Sequence, residues 1–473
     1  MISLAWAFLA GCSLDIKPQT NWTDGAFYET DGQVQSLLEG AYVKFENALS
    51  VGFMVYGDIR SDLYKCHNEN KVDYLNIMEN VITPYNTHAS WANFYASIQQ
   101  LNLVIANAPS MFEAGIVDSA QFAKLMGEAY CLRAYNYFWI ARVWGDAPIV
   151  LKPAVADDYN SRMKKSTQGE LLSQVYSDLG KAREYLTDNG SRTHLTLSAA
   201  WAIEAQVCAW EKDWDGVLNA CAKINDKQYE LADLFDSTYS VGDISFMQNV
   251  ANSEYARIFN EGNSSESIFE LSFSLDDSSD SKQLSQLVAS SEILRPNDAL
   301  LEYYKTMNAF DWRYYINFYD NKKVTKYFIN YGGIAEETRN IVLLRYAEII
   351  LLRAEAQIEK AVIEGGDTGS ARIKKAVSDI NTIRKRAGGE AYTLPGTYDL
   401  DNVDELRNAL AEERKIEFYS EGYRYFDLVR TGKVIEVMEP INGHNDERSN
   451  VWPVYYTEVI YSNGSIEQNE YYK

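Results

Sequence analysis

Cysteine is scarce in this chain. Five occur in 473 residues and no two form a CxxC pair, so a disulfide framework, a zinc ribbon and a dithiol redox motif are all excluded. Histidine is scarcer: four, at 67, 88, 194 and 444, with no HExxH arrangement to hold zinc. No GxSxG elbow is present. Thr431-Gly432-Lys433 mimics the tail of a phosphate-binding loop but lacks its upstream glycine. Beyond the N-terminus no stretch approaches the roughly 20 apolar residues that span a bilayer. Positive charge is also short. The 44 Lys+Arg stand against 67 Asp+Glu, a formal charge of −23, and such a field argues against nucleic acid and anionic lipid as partners.

What is present is ordinary globular material, 46% hydrophobic and 23% charged, in a length suited to about three domain-sized units. Tyrosine is the conspicuous excess, 34 against 18 Phe and 10 Trp. A flat apolar ring with a polar tip suits polar-rimmed cores and recognition surfaces alike. Acidic residues are abundant enough for a glycosidase carboxylate pair, but nothing singles out two of them. Asp276-Asp277-Ser278-Ser279-Asp280 lacks the glycine and terminal glutamate of a calcium loop and reads as a solvated acidic loop. No metal or cofactor is expected.

The start of the chain carries an address. An apolar run from Ile2 to Ala10 ends in Leu9-Ala10-Gly11-Cys12, the shape of a lipobox, in which cleavage leaves an acylated Cys12 as the new N-terminus. The run is short and has no Lys or Arg ahead of it, which fits a start further upstream. Residues 1–11 are then a signal peptide and 12–30 a polar, lipidated tether.

Helical periodicity begins near Asp31 with Leu37, Leu38, Ala41, Tyr42 and Phe45. It fades over 50–88 and returns from Trp91 to Asn107 and from Ala120 to Trp144, where Gly145 and Pro148 stop it. Thr167 with Glu170 forms a capping box ahead of a helix to Leu186. Another helix covers Ser198 to Lys212. Ala205 and Val217 stand twelve apart around a turn at 212–215, with Ile224 seven further on. That spacing fits a degenerate tetratricopeptide hairpin, as it would a generic antiparallel helix pair. From Gln228 to about Asn340 the chain is irregular, apart from a strand-like alternation at Ser267 to Phe273. Helices follow at Val342 to Ile363, Ala371 to Ala387 and Asn402 to Tyr419. The expected fold is mainly α: helical hairpins in one superhelical body, 31–227 with 228–473, with loop-rich inserts and a few short strands. The two irregular stretches should lie together on one side. Cys131, Cys208 and Cys221 sit in helical patterns; a Cys208–Cys221 bridge fits a hairpin, but free core thiols fit better.

The densest block is Glu412-Glu413-Arg414-Lys415-Ile416-Glu417-Phe418-Tyr419, then Glu421-Gly422-Tyr423-Arg424-Tyr425-Phe426-Asp427-Leu428-Val429-Arg430. Its charges stand at helix-pairing intervals, Gly422 turns the chain, and Arg424 and Arg430 flank a core-like Phe426 and Leu428. It reads as a structural corner. The block resembles the signature of the RagB/SusD family of outer-membrane nutrient receptors. Further agreement lies in Glu128 to Tyr135, Trp144-Gly145-Asp146-Ala147-Pro148, Asp311 with Arg313, Lys326-Tyr327, Leu344 to Glu348, Arg353 to Ala356, and Ile380 to Gly388. The tail adds Trp452-Pro453 and Gln468-Asn469. It departs at Val454-Tyr455, where the family usually has a second proline, and at Glu470-Tyr471, where it ends in Gly-Tyr.

The resemblance implies a lipid-anchored, non-catalytic receptor on the outer face of the outer membrane. It would close over a SusC-type TonB-dependent barrel transporter and carry an oligosaccharide or polysaccharide, or less often a peptide; a surface glycosidase is the alternative of another class. The matched motifs are scaffold, Trp91 among them. Contacts to a sugar should come from flat aromatics and amides in the irregular stretches: Tyr64, Asn68, Tyr74 and Tyr85 in the first, and Tyr239, Trp312, Tyr314 and Tyr331 in the second.

Overall fold

The computed structural model describes residues 30–154, 163–224, 228–234, 250, 252–273, 284–289, 293–307, 311–319, 323–327, 329–330, 333–334, 340–365, 369–388 and 403–473. Cys12, the signal and tether apart from Thr30, Tyr239, Tyr331 and the acidic loop at 276–280 lie outside them.

Helix α1 (Asp31–Leu49) buries Val34, Leu38, Ala41, Tyr42, Phe45 and Leu49 as one stripe at three- and four-residue spacing. The stretch after it is not irregular throughout, as its lost periodicity suggested. It holds α2 (Gly52–Gly57), strand β1 (Tyr64–Cys66) and α3 (Val72–Met78). The reason is burial. All six residues of α2 are buried, so the segment is apolar on every side and shows no amphipathic period.

Helices α4 (Ala92–Glu113), α5 (Ser119–Trp144) and α6 (Gln168–Arg183) come next, and α1 packs on α4, α4 on α5 and α5 on α6. One guanidinium ties three of them. Arg133 in α5 donates to both oxygens of Asp178 in α6, at 2.8 and 2.7 Å, and to Asn102 Oδ1 in α4, at 2.8 Å. The capping box of α6 forms as expected: Thr167 N–H donates to Glu170 at 2.8 Å, and Glu170 N–H to the Thr167 hydroxyl at 3.3 Å. Helices α7 (Leu197–Glu211) and α8 (Trp214–Lys223) make the predicted hairpin. Lys212 turns it with a left-handed φ of 61°, and Asp213 caps Gly216 N–H at 3.0 Å.

The middle of the chain contributes α9 (Glu254–Asn260), β2 (Ser267–Ser272), β3 (Leu294–Pro296), α10 (Asp298–Met307), α11 (Arg313–Asn317), β4 (Phe318–Tyr319), β5 (Lys323–Val324), β6 (Ile329–Asn330), β7 (Gly333–Ile334) and β8 (Asn340–Arg345). Among the described residues the strands pair antiparallel as β1–β3, β2–β8, β4–β5 and β6–β7. The β1–β3 pair, Tyr64 opposite Pro296 and Cys66 opposite Leu294, joins the two irregular stretches on one side of the body. The long helix expected from Val342 begins only at Tyr346. Ile341 to Leu344 form a strand buried on both faces against β2, and a short aliphatic run of that kind is ambiguous by periodicity.

Helices α12 (Tyr346–Ile363), α13 (Ala371–Arg386), α14 (Val403–Glu417), α15 (Arg424–Thr431), α16 (Val434–Asn442) and α17 (Tyr456–Tyr461) complete the scaffold. Buried side chains form one contiguous apolar set from Val34 to Ile466, and a second fills the space between α12, α13 and α14. Cys66, Cys131, Cys208 and Cys221 are free thiols, and the last three are buried. The whole is mainly helical, with tetratricopeptide-like hairpins and a few short strands.

Candidate ligand-binding surface

The charged block of α14 and its exit builds a buried ionic corner. Its partners are not mainly neighbours along the helix, as their spacing suggested, but residues far away in sequence. Arg313 Nη1 donates to Glu413 at 2.7 Å and to Glu417 at 2.8 Å, and Asp311 takes the other side of the same guanidinium at 2.7 Å. Arg345 reaches Glu266 at 2.7 Å, Glu417 at 2.6 Å and Glu421 at 2.7 Å. Arg386 bridges Glu266 and Glu417, and Arg384 reaches Glu413 at 3.2 Å. Lys326 Nζ donates to the carbonyls of Glu417 and Tyr419 and to Glu421; burial pulls its ammonium down to about 8. Three guanidiniums around Glu417 hold its carboxyl well below the usual range. The chain leaves this corner through Ser420 and Gly422, both at positive φ.

The corner carries an aromatic ledge. Asp311 and Arg313, locked as above, flank Trp312, whose N–H donates to Ala387 O at 3.0 Å. Trp312, Tyr314 and Tyr315 are half-buried. Tyr315 lies 6.3 Å from Trp312 and 5.3 Å from Tyr314, ring centre to ring centre. Below them the stack continues through Phe318 to Tyr419 at 4.9 Å and Tyr64 at 5.4 Å from Tyr419. Tyr64 is therefore a buried support, not a contact. Only 3% of it is exposed, and its hydroxyl pairs with Ser420 Oγ at 2.5 Å.

Of the other described candidates, Tyr74 and Tyr85 lie on neighbouring segments, joined where Asn86 Nδ2 donates to Asp73 O at 3.1 Å. Tyr74 packs on His88 at 5.2 Å, and Tyr85, 71% exposed, lies 5.0 Å from Tyr456, which is 4.8 Å from Tyr455. Asn68 spends its amide oxygen on Asn70 N–H at 3.1 Å. Sequence reasoning missed Tyr315, Tyr455 and Tyr456. Their only signal was the tyrosine excess itself, and the tail residues stand next to a scaffold motif. Trp91 is core, as expected.

A model described as the SusD family matches residues 181–472. The chain belongs to the SusD family. A second model, described as starch-binding associating with outer membrane, matches residues 14–208. The chain is similar to a SusD-like protein of Formosa agariphila, at 27% identity over 99% of this chain and 97% of the relative. Another SusD-like protein of that organism is 24% identical over 98% and 97%. Among solved structures, a SusD superfamily protein of Bacteroides vulgatus superposes with a TM-score of 0.75 at 20% identity, covering 94% of this chain and 99% of that one. One from Bacteroides thetaiotaomicron gives 0.74 at 21%, over 94% and 99%.

Within this SusD fold no group of three or more metal-ligating side chains occurs among the described residues, and none of their helices is long and apolar enough to cross a membrane. Burial pushes Cys208 up to about 11 and Cys131 and Cys221 higher still, which disfavours the thiolate at all three. Burial also keeps His88 below its ordinary value. The corner carboxylates are committed to guanidiniums and to the Lys326 ammonium.

Proposed function

We propose that the chain is a non-catalytic cell-surface receptor that binds an oligosaccharide or polysaccharide and delivers it to a SusC-type TonB-dependent transporter. The observation that carries this is the ledge of Trp312, Tyr314 and Tyr315, half-buried rings braced from below by a buried ionic corner. Sugar rings present apolar C–H faces, and a rigid aromatic shelf takes them with little loss of side-chain freedom. Asn68, Tyr74 and Tyr85 join the proposed set as a second contact group, with Tyr64 as a brace; Tyr239 and Tyr331 remain candidates. Acylation of Cys12 would hold the receptor to the outer membrane facing outward, and two or more acyl chains suffice for stable anchoring.

The test is calorimetric binding to a panel of polysaccharides, with released sugar assayed in parallel. Saturable binding without product is expected, and Trp312→Ala or Tyr314→Ala should each weaken Kd about tenfold, roughly 1.4 kcal/mol. Released sugar would make it a glycosidase, and binding of peptides alone would replace the cargo. Mass spectrometry of the mature N-terminal peptide checks acylation at Cys12.

A further inference from the structure

The exposed apolar residues are unevenly placed. Of the twelve large ones that stand out among the described residues, six fall in two short stretches: Val72, Val81 and Tyr85 in the first, Ile441, Ile460 and Tyr461 in the second. Contacts hold these stretches side by side. Asn442 Nδ2 donates to Met78 O at 2.7 Å, and Tyr456 N–H to Pro84 O at 3.0 Å. Arg60 clamps both at once, donating to Asn80 Oδ1 at 2.6 Å and to the carbonyls of Ser449 and Asn450. Ile460 stands one helical turn beyond Tyr456, which carries Tyr85 against it. The result is a set of apolar side chains, each 51–71% exposed, on two stretches held side by side, and exposed apolar groups gathered in that way mark an interaction site.

Its rim decides what can cover it. Residues 69–85 and 439–461 carry Glu69, Asp73, Glu79, Glu439, Asp446, Glu447 and Glu458 against only Lys71 and Arg448. Arg448 is itself tied to Asp446 at 2.6 Å. A second copy would set seven carboxylates against seven, and an anionic lipid surface is repelled for the same reason. A protein surface with apolar side chains set among lysine and arginine is the complement.

We propose that this face seats the barrel transporter through a basic-rimmed apolar patch on the transporter's outer surface. This rests on the receptor reading above and adds to it the contact surface. The face lies beside the proposed second contact group, so Tyr85 would mark the boundary between cargo and transporter.

The experiment measures binding of the full lipidated chain to the detergent-purified transporter, with glycan binding followed in parallel. Val81→Lys with Ile460→Lys, placing cations on the apolar face, should weaken the complex at least tenfold while glycan affinity and circular dichroism stay as in wild type. Glu79→Lys with Glu439→Lys, both at exposed positions, should weaken it and flatten its dependence on salt; this pair keeps the test open if the first fails to fold. No wild-type complex at all would overturn the receptor reading. A wild-type complex that both variants leave unchanged would overturn this face alone. Concentration-dependent dimers, or binding to anionic vesicles, abolished by the same variants would replace the occupant.

Discussion

Replacing Glu417 by glutamine keeps the size of the side chain and removes one buried charge. In the native corner five cations, Arg313, Lys326, Arg345, Arg384 and Arg386, face five carboxylates, Glu266, Asp311, Glu413, Glu417 and Glu421. Glu417 alone accepts from Arg313, Arg345 and Arg386. The amide would leave an uncompensated positive charge in a site screened from water, and breaking a buried pair from one side costs about 3–5 kcal/mol. That is a large share of the roughly 5–15 kcal/mol by which native proteins are stable. With an m-value of about 3 kcal/mol/M, a loss of about 4 kcal/mol lowers the urea midpoint by about 1.3 M. Tryptophan fluorescence reads the transition. The double variant Glu417→Gln with Arg386→Gln restores neutrality and should recover about half of the loss, a coupling that a double-mutant cycle isolates. Because Arg313 hangs from Glu417 and positions Trp312, the single variant should also weaken glycan binding. A loss below about 1 kcal/mol, or strict additivity in the double variant, would refute the reasoning.

Two sets of groups set the pH dependence in opposite directions. Asp58 and His194 favour the fold at low pH, while His88 and His444, the latter pulled down by burial to about 4, lose their contribution as pH falls. Burial pushes Asp58 up to about 7 even though it accepts from the Gly422 and Arg424 N–H groups. The folded state therefore holds its proton more tightly than the unfolded chain, and its contribution to stability falls as pH rises from about 4 to 7. His194, raised by its hydrogen bond to Glu128, acts in the same direction, its contribution full below the unfolded value and lost as pH climbs through the folded one. Asp427, lowered to about 2 by Arg414 and Arg430 against the opposing effect of burial, protects the fold until pH falls below about 4. Asp58→Asn should remove the part of the thermal midpoint that is lost between pH 4 and 7, shifting the wild-type-minus-variant difference with pH; a difference that stays constant over that range counts against the assignment. Gly57→Ala should abolish soluble expression, because its new methyl would overlap the backbone carbonyl of Gly422. Gly180→Ala, in α6 with open space around it, should instead add about 0.5–1 kcal/mol, read from the same urea transition.

Where one face of an element is buried and the other wet, the periodic pattern located it, as in α1 and α6. It failed where a short element is buried on every side. Helix α2 and strand β8 present apolar residues on all sides, so neither carries a period that distinguishes helix from strand. The charged block was recognisable as a corner, but its partners were not. Glu417 meets Arg345 and Arg313 through the folded topology, 72 and 104 residues away, and no local spacing encodes that. The same holds for the candidate surface. Trp312 and Tyr314 could be chosen by composition and position, whereas the demotion of Tyr64 to a brace needed the pairing of β1 with β3. Tyr455 and Tyr456 come to the surface beside Tyr85 only because the tail returns to Pro84.

The clamp of Arg60 on Ser449 and Asn450 sets the order in which this molecule can come into being. The two sides of that contact are separated by about 390 residues, and the tail adds others: Trp452 N–H on Val143 O, and Asn469 Nδ2 on Trp144 O. The early helices must therefore wait for the far end of the chain before the segment that closes them is in place. Closure over so long a loop is slow, so until the last few dozen residues arrive the end of α5 and the first irregular stretch stay uncapped. Chains cut short anywhere before residue 449 would remain open to proteases, which makes the C-terminal tail a built-in check that only complete molecules persist.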